Sequence, residues 1–378
     1  MRRFVGMVLL LSILFGSVGA QERDRLTTTD ATQSAILILD PDQGMVDTRT
    51  IGSGIHTAWG FAPDGCSVLA TLTQADGLPK AYVVPIDARR LPIELVSYDE
   101  LPPSQWGVWE PTWSPDGTRI AFTLIRDGLD GEPERAFHVA WVPASGGAPE
   151  TYSVTGREHT PQWSPDGAWL AYVSYDPRDP YEGTPEPERT PVPDDADLVM
   201  EADLWVVAAD ASAKYRLTAF PDGSVRAPRW SPDGATIAFT YSPSPSNDTY
   251  WAVSNTPQAR PYQITFAYSL SLDQTWTPSG DLLVSARSIG GETSHRLWTV
   301  PATVSGETSI TAFEPARDVP YPDYPAFDAT GTRLALRSGY RATIVDLESG
   351  RTTTIAGADG NMPIYWSPTG AVPPETCP

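Results

Sequence analysis

Residues able to do chemistry are few in this chain. It holds four histidines (His56, His138, His159 and His295) and two cysteines (Cys66 and Cys377). No two histidines stand at the spacing that would set a zinc pair on one helix face. No Gly-x-Ser-x-Gly stretch is present to lift a nucleophilic serine onto a strained turn. The sequence offers instead a scattered polar set: Trp109, Glu110, His159, Thr160, Arg226, Asp273 and Asp323. Each stands three or four residues ahead of an aromatic that opens a recurring phrase. Imidazole with carboxylates would suit manganese or zinc, with His159 and either Asp273 or Asp323 as ligands. The plainer reading, adopted here, is a solvated ring of mixed charge that receives a ligand. No cofactor is expected.

Other candidates have simpler explanations. Asp64, Asp116, Asp166 and Asp233 recur at one place in the repeat, which makes them turn formers rather than paired catalytic carboxylates. Asp127-Gly-Leu-Asp130-Gly-Glu132 lacks the full spacing of a calcium loop. His138 falls within an expected strand and reads as packing. Trp205, Trp251 and Trp298 recur at equivalent strand positions and read as core. Asn247-Asp-Thr249 fits a glycosylation sequon.

The elements that must position the polar set come from the phrase itself. Trp-Ser-Pro-Asp-Gly occurs at Trp113–Gly117, Trp163–Gly167 and Trp230–Gly234. Looser copies start at Phe61, Trp276, Phe327 and Trp366. Self-similarity at about 40–50 residues marks a repeat array, most often a propeller. Proline presets the second turn position, aspartate suits the third, and glycine takes the left-handed conformation. A strand therefore ends at each aromatic and another begins after each glycine, as in Thr118–Leu124. A third strand follows, such as Leu204–Val207, and then a more polar fourth, such as Tyr215–Thr218. Four short strands per unit make one blade. The polar set, lying in the innermost strands, would ring one mouth of the central channel.

The fold class expected is all-β: a seven-bladed β-propeller of four-stranded antiparallel blades. The Trp366 unit has room for two strands, and the N-terminal region supplies the missing pair, Ala35–Leu39 and Asp47–Ile51. Six blades with extra terminal strands is the alternative. In domain terms, residues 1–20 are a signal peptide, 21–34 a short lead, and 35–378 the propeller. A proline- and acid-rich insertion at 176–200 interrupts one blade as an irregular loop. Ring closure makes the ends neighbours, so Cys66 and Cys377 are candidates for a disulfide that staples the ring. Two unpaired thiols is the other reading.

Met1-Arg-Arg3, the apolar run Phe4–Val18 and the small residues ending at Ala20 form a secretory signal pattern. An uncleaved anchor is the alternative. Cleavage would remove Arg2 and Arg3 and no acid, moving the formal charge from −21 to −23. Such a surface repels phosphate backbones, so nucleic acid is a poor partner. The chain is expected to be exported, to the periplasm or the cell exterior, without stable membrane insertion after cleavage. A protein, peptide or envelope component is the expected partner, and the chain is expected to be a monomer.

The Trp-Ser-Pro-Asp-Gly turn followed by Ile120-Ala-Phe122 or Ile237-Ala-Phe239 resembles the propeller repeats of TolB and its relatives, a WD-repeat-like branch. The resemblance runs from about Phe61 to Gly370. It implies a propeller, and it spans several roles. Relatives include periplasmic scaffold proteins, propeller domains that gate prolyl-oligopeptidase-like peptidases, and metal-dependent lyases of uronic-acid sugars. TolB carries an α/β domain ahead of its propeller, whereas here about fourteen residues separate the cleavage site from the first expected strand. The lyases bind their metal with several histidines, and this chain shows too few at matching positions. The complete repeats, the acidic charge and the lack of a catalytic constellation point to a non-enzymatic binding scaffold, with a lyase or hydrolase on extracellular polysaccharide as the alternative.

Overall fold

The computed structural model describes residues 24–42, 44–75, 77–97, 102–127, 135–152, 155–175, 202–244, 248–264, 274–286, 295–302, 311–360, 362–368 and 377. The signal region 1–20, the insertion 176–200, Asn247 and most of the Asp127–Glu132 stretch lie outside these residues. Among the described residues no helix is long and apolar enough to cross a membrane.

The chain is all-β, laid down as successive antiparallel sheets. The first complete run is β4 (Ile55–Phe61), β5 (Ser67–Thr73), β6 (Lys80–Pro85) and β7 (Ile93–Glu94), counted after three N-terminal strands, β1 (Leu26–Thr29), β2 (Ile36–Asp40) and β3 (Gly44–Arg49). Next come β8 (Trp106–Trp113), β9 (Arg119–Asp127), β10 (Arg135–Pro143) and β11 (Glu150–Thr151). An eight-stranded sheet follows. It holds β12 (Glu158–Trp163), β13 (Trp169–Tyr175), β14 (Ala202–Ala208), β15 (Lys214–Arg216), β16 (Ser224–Trp230), β17 (Thr236–Ser242), β18 (Thr249–Ser254) and β19 (Tyr262–Gln263). Its two halves are joined by a single parallel pairing, Ala202 with Ser224. Two more sheets follow: β20 (Gln274–Trp276), β21 (Leu282–Ala286), β22 (Arg296–Val300) and β23 (Thr311–Ala312), then β24 (Pro322–Phe327), β25 (Arg333–Ser338), β26 (Arg341–Asp346) and β27 (Thr352–Thr354). The last strand is β28 (Tyr365–Trp366).

The repeated turn is built alike in its three full copies. Ser114 Oγ donates to Asp116 Oδ1 at 2.6 Å, and Asp116 Oδ1 also accepts from the Thr118 backbone N–H at 3.0 Å. Ser114 Oγ in turn accepts from the Arg119 N–H at 3.0 Å. Ser164 with Asp166, and Ser231 with Asp233, repeat the pattern. The glycines close each turn at φ near 70°. The aromatic before the turn links neighbours. Trp230 Nε1 donates to Gln162 O at 2.9 Å, Trp276 Nε1 to Arg229 O at 3.0 Å, and Trp366 Nε1 to Ala326 O at 2.8 Å.

The core lies between sheets rather than within one layer. One cluster joins Leu69 and Val83 to Ile120 and Phe122; another joins Ala121 and Val139 to Leu170 and Val207. The run continues round the molecule until Leu37 and Leu39 pack on Ala335 and Ile344, while Ile36 and Ile38 pack on Val68 and Ala70. The N-terminal strands thus bridge the first complete sheet and the last.

The closing sheet differs from the two-plus-two arrangement expected. Its order is β28-β1-β2-β3, so the C-terminal region gives one described strand and the N-terminal region three. Ile36–Asp40 pairs with β1 and β3, not with the Trp366 strand. Leu26–Thr29, expected within a lead ahead of the propeller, is the strand that pairs with Trp366, through Leu26↔Trp366 and Thr27↔Tyr365. Leu-Thr-Thr-Thr has no apolar alternation to announce a strand. Its hydroxyls are satisfied internally instead: Thr27 Oγ1 donates to Leu37 O at 3.0 Å, and Thr28 Oγ1 to Pro363 O at 2.7 Å.

Two further devices hold the closure. Arg337, fully buried, donates to Met362 O at 2.8 Å, Ala358 O at 2.5 Å and Thr28 Oγ1 at 2.7 Å. Cys66 and Cys377 are joined by a disulfide with Cα atoms 5.5 Å apart.

Candidate functional site

Residues of β4, β8, β12, β16, β20, β24 and β28 line one cavity of about 850 Å³. They meet there because each sheet turns its innermost strand to the common centre. Each of five inner strands carries one extra residue at this depth. The pairing slips between Ala58 and Gly60, Trp109 and Thr112, His159 and Gln162, Arg226 and Arg229, and Asp323 and Ala326. Such bulges re-aim side chains.

The bulges hold a rare backbone. Glu110 (φ 51°), Thr160 (φ 57°), Ala227 (φ 48°) and Tyr324 (φ 52°) all have left-handed dihedrals, and each precedes a proline. Residues bearing a Cβ, β-branched Thr160 above all, seldom adopt this region. Each such residue costs about 1–3 kcal/mol, so the surrounding sheet must hold it there. Only β4 uses glycine, Gly60 at φ 122°.

Five of the residues singled out in the sequence meet in this cavity: Trp109, Glu110, His159, Thr160 and Arg226. Asp273 lies outside the described residues, and its neighbour Gln274 lines the cavity. Asp323 is not among the lining residues, which corrects its expected place in the ring. It is drawn back to the preceding sheet, where His295 Nε2 lies 3.1 Å and Ser285 Oγ 3.2 Å from its Oδ1. It is therefore not gathered with His159. Among the described residues no three His, Cys, Asp or Glu side chains come together as metal ligands.

Ser285, His295 and Asp323 hold the residue types of a hydrolytic triad but not its geometry. Ser285 Oγ lies 2.9 Å from the same Nε2 that meets Asp323. A relay needs the carboxylate on the opposite ring nitrogen. Ser285 is also fully buried and donates to Pro322 O. His56 is equally structural: its Nε2 accepts from the Ile51 N–H at 3.1 Å, and its Nδ1 lies 3.2 Å from Gly54 O.

The cavity is mixed in character. His159 Nδ1 lies 2.7 Å from Thr160 Oγ1, and its ring stacks on Tyr175 at 4.6 Å. Burial pushes the His159 imidazole down to about 4, so it is neutral at neutral pH. Burial raises the Glu110 carboxyl above its ordinary range, against hydrogen bonding from Thr160 and the charge of Arg229. Burial also raises the Tyr175 phenol; Glu110 adds to that and Arg226 opposes it, so all three share one electrostatic neighbourhood. Arg226 Nη2 donates to Asp248 Oδ1 at 2.6 Å and to Ser242 Oγ. Trp59 and Trp109 meet edge to face at 5.7 Å, and Tyr324 and Tyr365 continue the wall.

Sequence reasoning missed Trp59, Tyr175, Arg229, Gln274, Tyr324 and Tyr365 as lining residues. The pre-proline position of the repeat could have flagged Tyr324. Tyr175 ends a second strand, and no repeat signal marks it.

No family model matches the chain. It is 31% identical over 138 residues to the uncharacterized peptidase YuxL of Bacillus subtilis, covering 36% of this chain and 17% of that one. It is 28% identical over 147 residues to the uncharacterized protein Atu1656 of Agrobacterium fabrum, covering 38% and 47%. The match thus spans less than half the length of either relative. Among solved structures, an oligogalacturonate lyase from Vibrio parahaemolyticus aligns with a TM-score of 0.59 at 13% identity, over 86% of this chain and 92% of that one. A puromycin-hydrolyzing peptidase of Mycobacterium tuberculosis aligns with a TM-score of 0.58 at 15% identity, over 91% and 55%. At these identities the likeness is one of fold: the chain has a propeller-like all-β fold.

Proposed function

We propose that this TolB-like propeller is an exported, non-enzymatic binding protein that takes its ligand or partner into the central cavity. The observation that carries the reading is the convergence of strained, bulged inner strands on one space. Strain of this kind persists where function needs it, and a cavity with aromatic walls and a few aimed polar groups is the usual form of a binding site. We read the eight-stranded sheet as two blades that touch at one bridge, which gives seven blades in the ring. Export is supported by the N-terminal signal pattern and by a disulfide, which persists in oxidising compartments. The acidic balance favours a protein, peptide or envelope component over nucleic acid.

The test offers the immobilised full chain to envelope extract and culture supernatant from the producing cells. Material retained by the wild type and lost with Trp109→Ala and Tyr365→Ala supports the reading. Equal retention by both proteins moves binding off the cavity and overturns it.

One observation favours the second reading, an enzyme acting on extracellular polysaccharide. Glu110 and His159 share one cavity, and burial pushes the carboxyl up and the imidazole down. Paired perturbations of this sort are common where acids and bases work. Product formed from a glycan panel by the wild type and abolished in Glu110→Gln would select this reading.

A further inference from the structure

A second cleft, of about 350 Å³, opens between the β16–β17 turn and the β20–β21 turn. Pro232, Asp233, Trp276, Pro278, Ser279 and Ala302 line it, and no described residue lines both this cleft and the central cavity.

The repeat explains the gap. At three junctions the turn glycine of one unit rests on the turn proline of the unit before it. A Cβ added at Gly117 would lie 3.7 Å from the Pro63 ring, one at Gly167 3.5 Å from Pro115, and one at Gly234 3.6 Å from Pro165. Pro232 would meet Gly280 in the same way, yet among the described residues nothing lies within 4 Å of a Cβ placed there. The β20–β21 turn is one residue shorter than its counterparts. The Thr277 N–H donates to Asp281 O, four positions on, whereas the N–H groups of Ser114, Ser164 and Ser231 reach five positions, to Arg119, Trp169 and Thr236. Pro278 still reaches the next unit, where a Cβ at Gly331 would collide with its ring. The shortened turn therefore keeps its contact on one side and loses it on the other.

What fills the closed junctions indicates what fits the open one. There a rigid pyrrolidine ring covers the glycine, and here that place is vacant between two exposed prolines. Trp276 Nε1 already donates to Arg229 O at 3.0 Å, so its indole offers the cleft an apolar surface. Proline segments suit such walls, because their extended backbone is preformed and loses little entropy on docking. Charge adds a second requirement. Asp233 is exposed and is the one charged side chain among the described lining residues. Its Oδ1 accepts from Ser231 Oγ at 2.6 Å and from the Ala235 N–H at 3.0 Å, which holds the carboxyl below its ordinary range. A basic neighbour of the proline would complement it, on a chain of net charge −21.

We propose that this cleft docks a proline-bearing, basic peptide segment of a partner protein. Its pyrrolidine ring takes the place against Gly280 that Pro115 takes against Gly167, and its neighbouring Arg or Lys pairs with Asp233.

The full chain is tested on an array of peptides that set Arg or Lys beside proline, each next to copies with alanine for the proline or glutamate for the base. Basic proline peptides should be retained, and alanine for proline should weaken retention about tenfold. Ala302→Phe fills the cleft and leaves the bond from Tyr262 Oη to the Ala302 carbonyl in place, so it should abolish retention. Ser279→Tyr, on the exposed rim, should weaken it about tenfold and decides the matter if Ala302→Phe lowers the melting temperature. Asp233→Asn keeps a turn acceptor and should cost about threefold, with a weaker salt dependence. Asp166→Asn, at a closed junction, should change nothing. Retention blind to the proline, retention that survives Ser279→Tyr, or no retention of any peptide overturns the docking site. Peptide binding lost with Trp109→Ala and kept in Ser279→Tyr belongs to the central cavity; it overturns the cleft and leaves the binding role proposed above standing.

Discussion

The two ends of each inner strand obey different rules. At the turn end, Ser114, Ser164 and Ser231 make the same bonds to Asp116, Asp166 and Asp233 within 0.1 Å of one another. Glycine takes the left-handed residue there, and the polar groups are paired. Four residues before each serine, Glu110, Thr160 and Ala227 sit in left-handed backbone without glycine's freedom. Beside them, His159, Arg226 and Gln274 keep polar atoms unmatched among the described residues. One end repeats what makes a sheet stable. The other departs from it, at a cost, in several sheets at the same depth. Repetition marks the frame, and shared departure marks the site.

The contrast can be broken by substitution, and the frame should give the largest losses. Arg337→Leu strands the Ala358 and Met362 carbonyls that its guanidinium serves. It should cost about 3 kcal/mol, read by denaturant unfolding, because buried acceptors lose their donor. Reduction of Cys66–Cys377, or Cys66→Ser with Cys377→Ser, should cost about 2–4 kcal/mol by freeing a long loop in the unfolded chain. An unchanged melting temperature after either would mean that the closing sheet is not what limits stability. Ser114→Ala should cost about 1 kcal/mol, and Ser164→Ala and Ser231→Ala the same, if the turns are equivalent in energy as they are in geometry. Ala227→Gly should do the reverse in the cavity wall. It relieves a left-handed alanine and should gain about 0.5–1 kcal/mol, seen as a higher melting temperature.

Acid sharpens the same contrast by separating the two regions in pH. The folded His159 titrates near 4 against an ordinary 6.5, so in that window the unfolded chain binds a proton that the folded chain refuses. Stability should fall as pH falls from 6.5 toward 4, and His159→Gln should flatten that slope. Hydrogen bonding from Ser114 first, and then from Thr118, holds the Asp116 carboxyl down at about 2 against an ordinary 3.8. Its contribution is intact above the ordinary value and is lost as pH drops through the folded one. The stability gap between Ser114→Ala and the wild type should therefore be full above pH 4 and close as pH falls below it. A single acid transition shared by both variants would contradict the separation.

Much of the frame was legible because it rests on local chemistry. Proline, aspartate and glycine at fixed offsets specify a turn whatever surrounds them, and the strands on either side follow. The site was legible only in part. Position in the repeat located Glu110, Thr160 and Arg226, but spacing alone cannot show that Asp323 is captured by His295 from the sheet before it. Nor can it show that a one-residue bulge brings Tyr324 to the cavity. The Leu26–Thr29 strand was hidden for another reason. A threonine run carries no apolar rhythm, and its place beside Trp366 is held by a bond to Pro363 that exists only in the closed ring.

The pairing of Leu26 with Trp366 also bears on how the chain acquires its shape. Synthesis makes Leu26 hundreds of residues before its mate, so this contact is among the most non-local a chain of this length can form. Loop-closure entropy opposes it until the intervening sheets have shortened the gap. Until then the edge of the first strand stays unpaired, the condition that invites aggregation. A nascent chain halted before Tyr365 would hold nearly every sheet and still be unable to complete the circle.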